Sequence, residues 1–194
     1  MTNEQCKAIT TRLSPIIGTP LQGITRVADM VCFQFGNLIE KDALYRDESG
    51  HAAVHKVTAG EYALHVQCCF RIPCGNTIVV AKSDLFQPSK DYVTSHGLNK
   101  EDAIPNDFDY DVAGNSRMDE VFATTFNQPA GFLVESVKAN PIGDLHIAFT
   151  NGFLLDVLTD ISGGEECWRF FKHGDEKHLV VTGQGLAADE ANDE

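Results

Sequence analysis

The stretch from Leu64 to Ile72 constrains the fold of this chain more than any other. Leu64, Val66, Cys68, Phe70 and Ile72 alternate with His65, Gln67, Cys69 and Arg71. Successive side chains on a strand point to opposite faces, so one face here is apolar and the other polar. That is the pattern of a half-covered antiparallel strand. The strand is read over Glu61 to Ile72, with Pro73 at its end, where a missing ladder donor costs little. Gly75-Asn76 then turns the chain into Thr77-Ile78-Val79-Val80, which predicts a hairpin. Leu145-His146-Ile147-Ala148-Phe149 repeats the pattern and meets Asn151-Gly152 before running on to Leu158. Asn-Gly favours a type I′ turn, whose two central positions both need positive φ. The two Leu-His units read either as an internal pseudo-repeat or as hairpins alike by convergence.

The remaining segments fit the same class. Residues 3–14 predict a short helix capped by Asn3, with Ala8, Ile9 and Leu13 as its apolar stripe. Val27 to Phe35 predicts a strand that ends at the turn signal Gly36-Asn37. Residues 38–60 are mixed, with a loop at Asp47-Glu48-Ser49-Gly50. Residues 87–116 read as a long ordered excursion anchored by Phe86, Tyr92, Phe108 and Tyr110, and Asp119 to Phe126 as a helical turn or two. Phe132 to Val137 predicts a strand, and Pro141-Ile142-Gly143 a turn. Cys167 to Phe171 and His178 to Val181 form a last hairpin, with Trp168 and Phe170 on the core face and Arg169 opposite. The expectation is an α+β fold, predominantly antiparallel sheet built from hairpins with a short N-terminal helix. It forms one compact domain over 1–186, or two halves, 1–86 and 130–186, joined by an acidic excursion over 87–129. Residues 187–194 read as an acidic, frayed tail.

Composition narrows the class. With 194 residues and 43% hydrophobic content the chain can bury a core without staples. No apolar run reaches membrane-spanning length, and Met1 to Cys6 lacks the basic and apolar regions of a secretory signal. The six cysteines therefore read as reduced thiols in a cytoplasmic protein. The net charge is −13, and residues 101–120 hold seven acids against one arginine. That balance argues against a phosphate-backbone binder and suits a basic protein partner.

Motifs for chemistry are sparse. Asp109, Asp111, Gly114 and Glu120 fall on positions 1, 3, 6 and 12 of a calcium loop. Ala113 lacks a ligand oxygen, Ser116 replaces an apolar residue, and Pro105 sits where an entering helix belongs. Cys68, Cys69 and Cys74 have no second pair at zinc spacing, and neither His51 and His55 nor His173 and His178 complete a set. No metal or cofactor is expected. A nucleophile elbow, a P-loop and a dinucleotide fingerprint are all missing, which points away from an enzyme.

Arg26-Val27-Ala28-Asp29-Met30, Tyr62-Ala63-Leu64-His65-Val66-Gln67 and Phe108-Asp109-Tyr110-Asp111 resemble a family of uncharacterised bacterial proteins of this length. Leu145-His146-Ile147, Asn151-Gly152, Glu166-Cys167-Trp168-Arg169 and His178-Leu179-Val180 are similar to small domains of unknown function associated with immunity proteins of bacterial toxin systems. The resemblance implies a bacterial cytoplasmic protein and transfers no active site.

Two functions follow as expectations. One is a non-catalytic, immunity-like protein engaging a basic partner through its acidic C-terminal half, with Asp109, Asp111 and Glu120 as contacts. The other is an enzyme or small-ligand protein with a pocket near His65 and His146. A cleft bounded by the acidic excursion favours a ligand, and a flat acidic face favours a protein partner.

Overall fold

In a computed structural model, which describes residues 1–46, 52–99, 103–127 and 131–187, the alternation of Leu64 to Ile72 serves two sheets. Strand β3 (Ala52–Val66) belongs to the first sheet and β4 (Cys69–Cys74) to the second. The expected single strand over Glu61 to Ile72 is thus two. Gln67 and Cys68 form the crossing, and both of their N–H groups donate to the Cys167 carbonyl, at 2.9 and 3.1 Å. The apolar face survives the change of sheet, because Leu64, Val66, Cys68, Phe70 and Ile72 are all buried.

The first sheet has the order β1-β2-β3-β9-β10-β11, with β1 (Leu21–Val27), β2 (Met30–Arg46), β9 (Glu166–Lys172), β10 (Leu179–Thr182) and β11 (Gly185–Leu186). The second has the order β5-β4-β8-β7-β6, with β5 (Thr77–Ala81), β6 (Val134–Ala139), β7 (Leu145–Phe149) and β8 (Leu154–Leu158). Every pairing is antiparallel. Register brings apolar residues into rows. Val31, Val66, Trp168 and Val181 are cross-strand neighbours, as are Phe33, Leu64, Phe170 and Leu179, and all eight are buried. The row between them, Cys32, His65, Arg169 and Val180, faces outward.

On the second sheet Phe70, Val157 and Leu145 form an inward row, while Arg71, Asp156, His146 and Lys138 form the outward one. The two inward faces share one core. Phe33 of the first sheet meets Phe70 of the second edge to face, with ring centres 5.8 Å apart. Cutting such a ring back to alanine costs roughly 3–5 kcal/mol. Helix α1 (Asn3–Leu13) adds Ile9 and Leu13, one turn apart and fully buried. Its cap is Thr2, one residue before the expected Asn3. The Thr2 hydroxyl accepts from Gln5 N–H, and the Gln5 side chain accepts from Thr2 N–H.

Three turns depart from the sequence reading. The expected strand Val27 to Phe35 divides at Ala28-Asp29 into β1 and β2. Gly36-Asn37 does not end β2. The register slips there between Phe35 and Leu38, a β-bulge, and β2 runs on against β3 as a two-stranded ribbon beyond the sheet. The expected loop at 47–50 lies outside the described residues. Thr150-Asn151-Gly152 is a three-residue connection closed by Phe149 N–H donating to Phe153 C=O at 2.9 Å. Only Gly152 (φ +84) has positive φ, so the turn is not type I′.

The two Leu-His units occupy different places. The first spans the crossing between sheets, and the second lies wholly in the second sheet. Their likeness therefore does not mark equivalent structural units.

Candidate functional site

The excursion after β5 is built from two interlocked helix starts. Ser89 caps α2 (Lys90–Ser95), its hydroxyl accepting from Tyr92 N–H at 3.1 Å. Ser116 caps α3 (Arg117–Val121) in the same way through Asp119 N–H at 3.1 Å. Both serines are buried, and their segments pair: Ser89 N–H donates to Asn115 C=O, and Arg117 N–H to Gln87 C=O, each at 2.7 Å. Asn115 and Gly114 end the loop that the acidic run makes. A π-helical turn, Phe122–Phe126, continues α3 and delivers Phe122 and Phe126 to the core. Of the four aromatic residues expected as anchors, Tyr92 is buried and meets Phe108, whereas Phe86 and Tyr110 meet each other at the exposed surface, ring centres 5.0 Å apart in each pair.

From β1, Arg26 closes this substructure onto the first sheet. Its guanidinium takes Asp119 and also donates to the Tyr110 and Val112 carbonyls at 2.7 and 3.3 Å. The side chain of Asn127 pins the edge of β1 in turn, accepting from Ile24 N–H at 2.7 Å and donating to Ile24 C=O at 2.9 Å. Neither tie leaves a local signal in the sequence, because the partners lie about a hundred positions apart.

Within this excursion lies a cavity of about 590 Å³, in the size range of small-molecule sites. Pro88, Val93, Leu98, Ala103, Ile104 and Pro105 supply its apolar walls, and Lys90, Arg117 and Glu120 its charges. The Glu120 carboxylate accepts from Lys90 N–H and from the Lys90 ammonium, each at 3.0 Å. These bonds hold its carboxyl below the usual range. Arg117 reaches Asp84 through Nε at 3.3 Å.

The calcium-loop register is not matched by this geometry. Glu120 is turned to Lys90. Asp109 accepts from Asp111 N–H at 2.9 Å within its own loop, and Asp119 belongs to Arg26. Among the described residues there is no group of three or more metal-ligating side chains. Asp107, Asp109 and Asp111 remain exposed on the outer surface of the loop.

The two histidines are not brought together. His65 lies on the outward face of the first sheet and His146 on that of the second. Packed sheets stand roughly 10 Å apart, so both sheets and the core between them separate the two outward faces. Each has its own surroundings. His146 Nδ1 is 2.7 Å from Asp156 Oδ1, and Arg71 Nε donates to Asp156 Oδ2 at 3.0 Å. His65 packs edge-on against Phe171, which also stacks on His178 and meets His173. Burial and the neighbouring Arg169 push His65 down. Burial and Lys41 push His173 down to about 4. Lys41 Nζ lies 3.5 Å from both ring nitrogens of His173.

All six cysteines are free thiols. Burial pushes Cys32, Cys68 and Cys167 up. Among the described residues no helix is long and apolar enough to cross a membrane. No family model, no curated protein and no solved structure matches this chain.

Proposed function

We propose that this protein binds a small molecule in the excursion cavity and does not catalyse a reaction on it. The observation that carries this reading is the cavity of about 590 Å³ with apolar walls and three charged side chains in its lining, bounded by the loop that the sequence marks as most unusual. The site therefore lies in the excursion, apart from both His65 and His146. A ligand of the folded state raises stability by mass action. A panel of small amphipathic compounds should include members that raise the melting temperature, and Val93→Trp, which fills the cavity, should abolish the rise. A panel without effect, or an effect that Val93→Trp leaves intact, overturns the reading.

The exposed carboxylates Asp107, Asp109 and Asp111 favour a second reading, an immunity-like protein that meets a basic partner. Such binding weakens with salt. A partner retained at low salt, released at high salt and lost with Asp109→Asn/Asp111→Asn supports it. Retention that ignores both salt and the substitutions overturns it.

A further inference from the structure

We infer that the cavity takes a carboxylate with an apolar body, received by Arg117; this rests on the cavity being the binding site. The partners of the charged lining residues supply the argument. Glu120 has both carboxylate oxygens engaged by Lys90. The Thr94 hydroxyl donates to Lys90 C=O at 2.8 Å. Lys90 carries three N–H donors on its ammonium and places one on Glu120. Arg117 carries five and directs Nε at Asp84. Glu120 is thus neutralised by Lys90, and the cationic donors of Arg117 beyond its bond to Asp84 are the charge in the lining that a ligand can meet by bringing acceptors.

The shape of those donors selects among anions. A guanidinium presents parallel N–H groups at the spacing of the two oxygens of a carboxylate. With Nε turned to Asp84, the Nη groups of Arg117 form the remaining fork. Pro88, Val93, Leu98, Ala103, Ile104 and Pro105 offer no polar side-chain atom, so the rest of the ligand gains by being apolar. An ammonium head would leave the Arg117 fork unmet and would add a third cation beside Lys90 and Arg117.

Octanoate, octan-1-ol and octylamine share one chain and differ in the head group. Titration of each into labelled protein, followed by the amide signals of Val93, Leu98 and Ile104, separates the head group from the cavity. Octanoate should bind at least tenfold more tightly than octan-1-ol, and octylamine no better than octan-1-ol. Arg117→Gln should bring octanoate to the level of the alcohol, and Arg117→Lys should recover only part of the difference. If octan-1-ol perturbs the same signals with an affinity within twofold of octanoate, the cavity stands and the head-group assignment falls. If octanoate keeps its advantage in Arg117→Gln, the role of Arg117 falls. If none of the three perturbs these signals, the cavity reading falls with the inference.

Discussion

Arg26 holds Asp119 side-on, with Nε 2.6 Å from Oδ1 and Nη2 2.8 Å from Oδ2. Their side chains are 7% and 13% exposed, so the pair is largely withdrawn from water. Such a pair is weak evidence for net stability, because desolvation offsets much of the attraction. Removing one member is different, since it leaves a buried charge without its partner. Arg26→Met should therefore destabilise the protein by roughly 3 kcal/mol in urea unfolding. Hydrogen exchange should quicken first at Asp109 to Asn115, whose loop Arg26 ties down. Uniform quickening across both sheets would contradict a local clamp.

Acid should weaken the fold in two stages. His173 is pushed down to about 4 in the folded protein, so between about pH 6.5 and 4 the unfolded chain takes up a proton that the folded one refuses. Stability is complete above that window and falls as pH drops through it. His173→Gln should flatten this part of the curve. Asp119 acts lower. Burial opposes its ionisation, but hydrogen bonds from Arg26 and Ser116 outweigh that and hold its carboxyl below the usual range. Its contribution is present above the unfolded value near 4 and is lost as pH falls through the folded one. Unfolding midpoints measured from pH 8 to pH 3 in the wild type and in His173→Gln check both signs.

Gly60 stands opposite the bulge where the ribbon leaves the first sheet. A Cβ there would lie 2.7 Å from both the nitrogen and the oxygen of Phe35. Backbone atoms cannot swing aside as a long side chain can, so Gly60→Ala must open the ladder. A loss of about 1–3 kcal/mol is expected from such overpacking. Gly75→Ala meets no atom within 4 Å, and its cost comes from its φ of +58 alone. Denaturant midpoints of the two variants separate crowding from conformational strain.

The thiols should divide by burial. Cys69 is exposed, and Cys6 and Cys74 are half-buried, while Cys32, Cys68 and Cys167 are buried. Ellman's reagent should reach the first three in the native protein and all six only after unfolding. Cys69 should react slowly for an exposed thiol, because its hydrogen bond to Asp160 and partial burial push it up. Prompt native reaction of Cys68 or Cys167 would contradict the packing at the crossing.

What the sequence made legible was local. Alternation over Leu64 to Ile72 identified the buried face, and Trp168 with Phe170 was legible as core, because period two needs only neighbouring residues. Tyr92 was legible as an anchor of the excursion, whereas Phe86 and Tyr110, read the same way, pair at the exposed surface. The strand change at Gln67-Cys68 was hidden, since the alternation continues unbroken through it. Asn151-Gly152 suggested one turn type, but loop length is decided by where β7 and β8 close their last bond. The cavity was hidden for another reason. It depends on Ser89 and Ser116 meeting across the excursion, and on Arg26 arriving from a distant strand. His146 carried no visible partner, because Asp156 comes beside it only through the β7–β8 register.

Gln67-Cys68 also sets where this chain can change length. Loop tips such as Gly75-Asn76 can absorb extra residues over generations, since nothing downstream depends on their count. Between Val66 and Cys69 the spacing is fixed. A single inserted or deleted residue there, with the downstream pairing kept, would require the crossing to bulge or stretch away from Cys167. If the strand slipped instead, Arg71 would turn inward and Ile72 outward. Distant descendants of this chain should therefore vary in length at its turns and keep this dipeptide step unaltered.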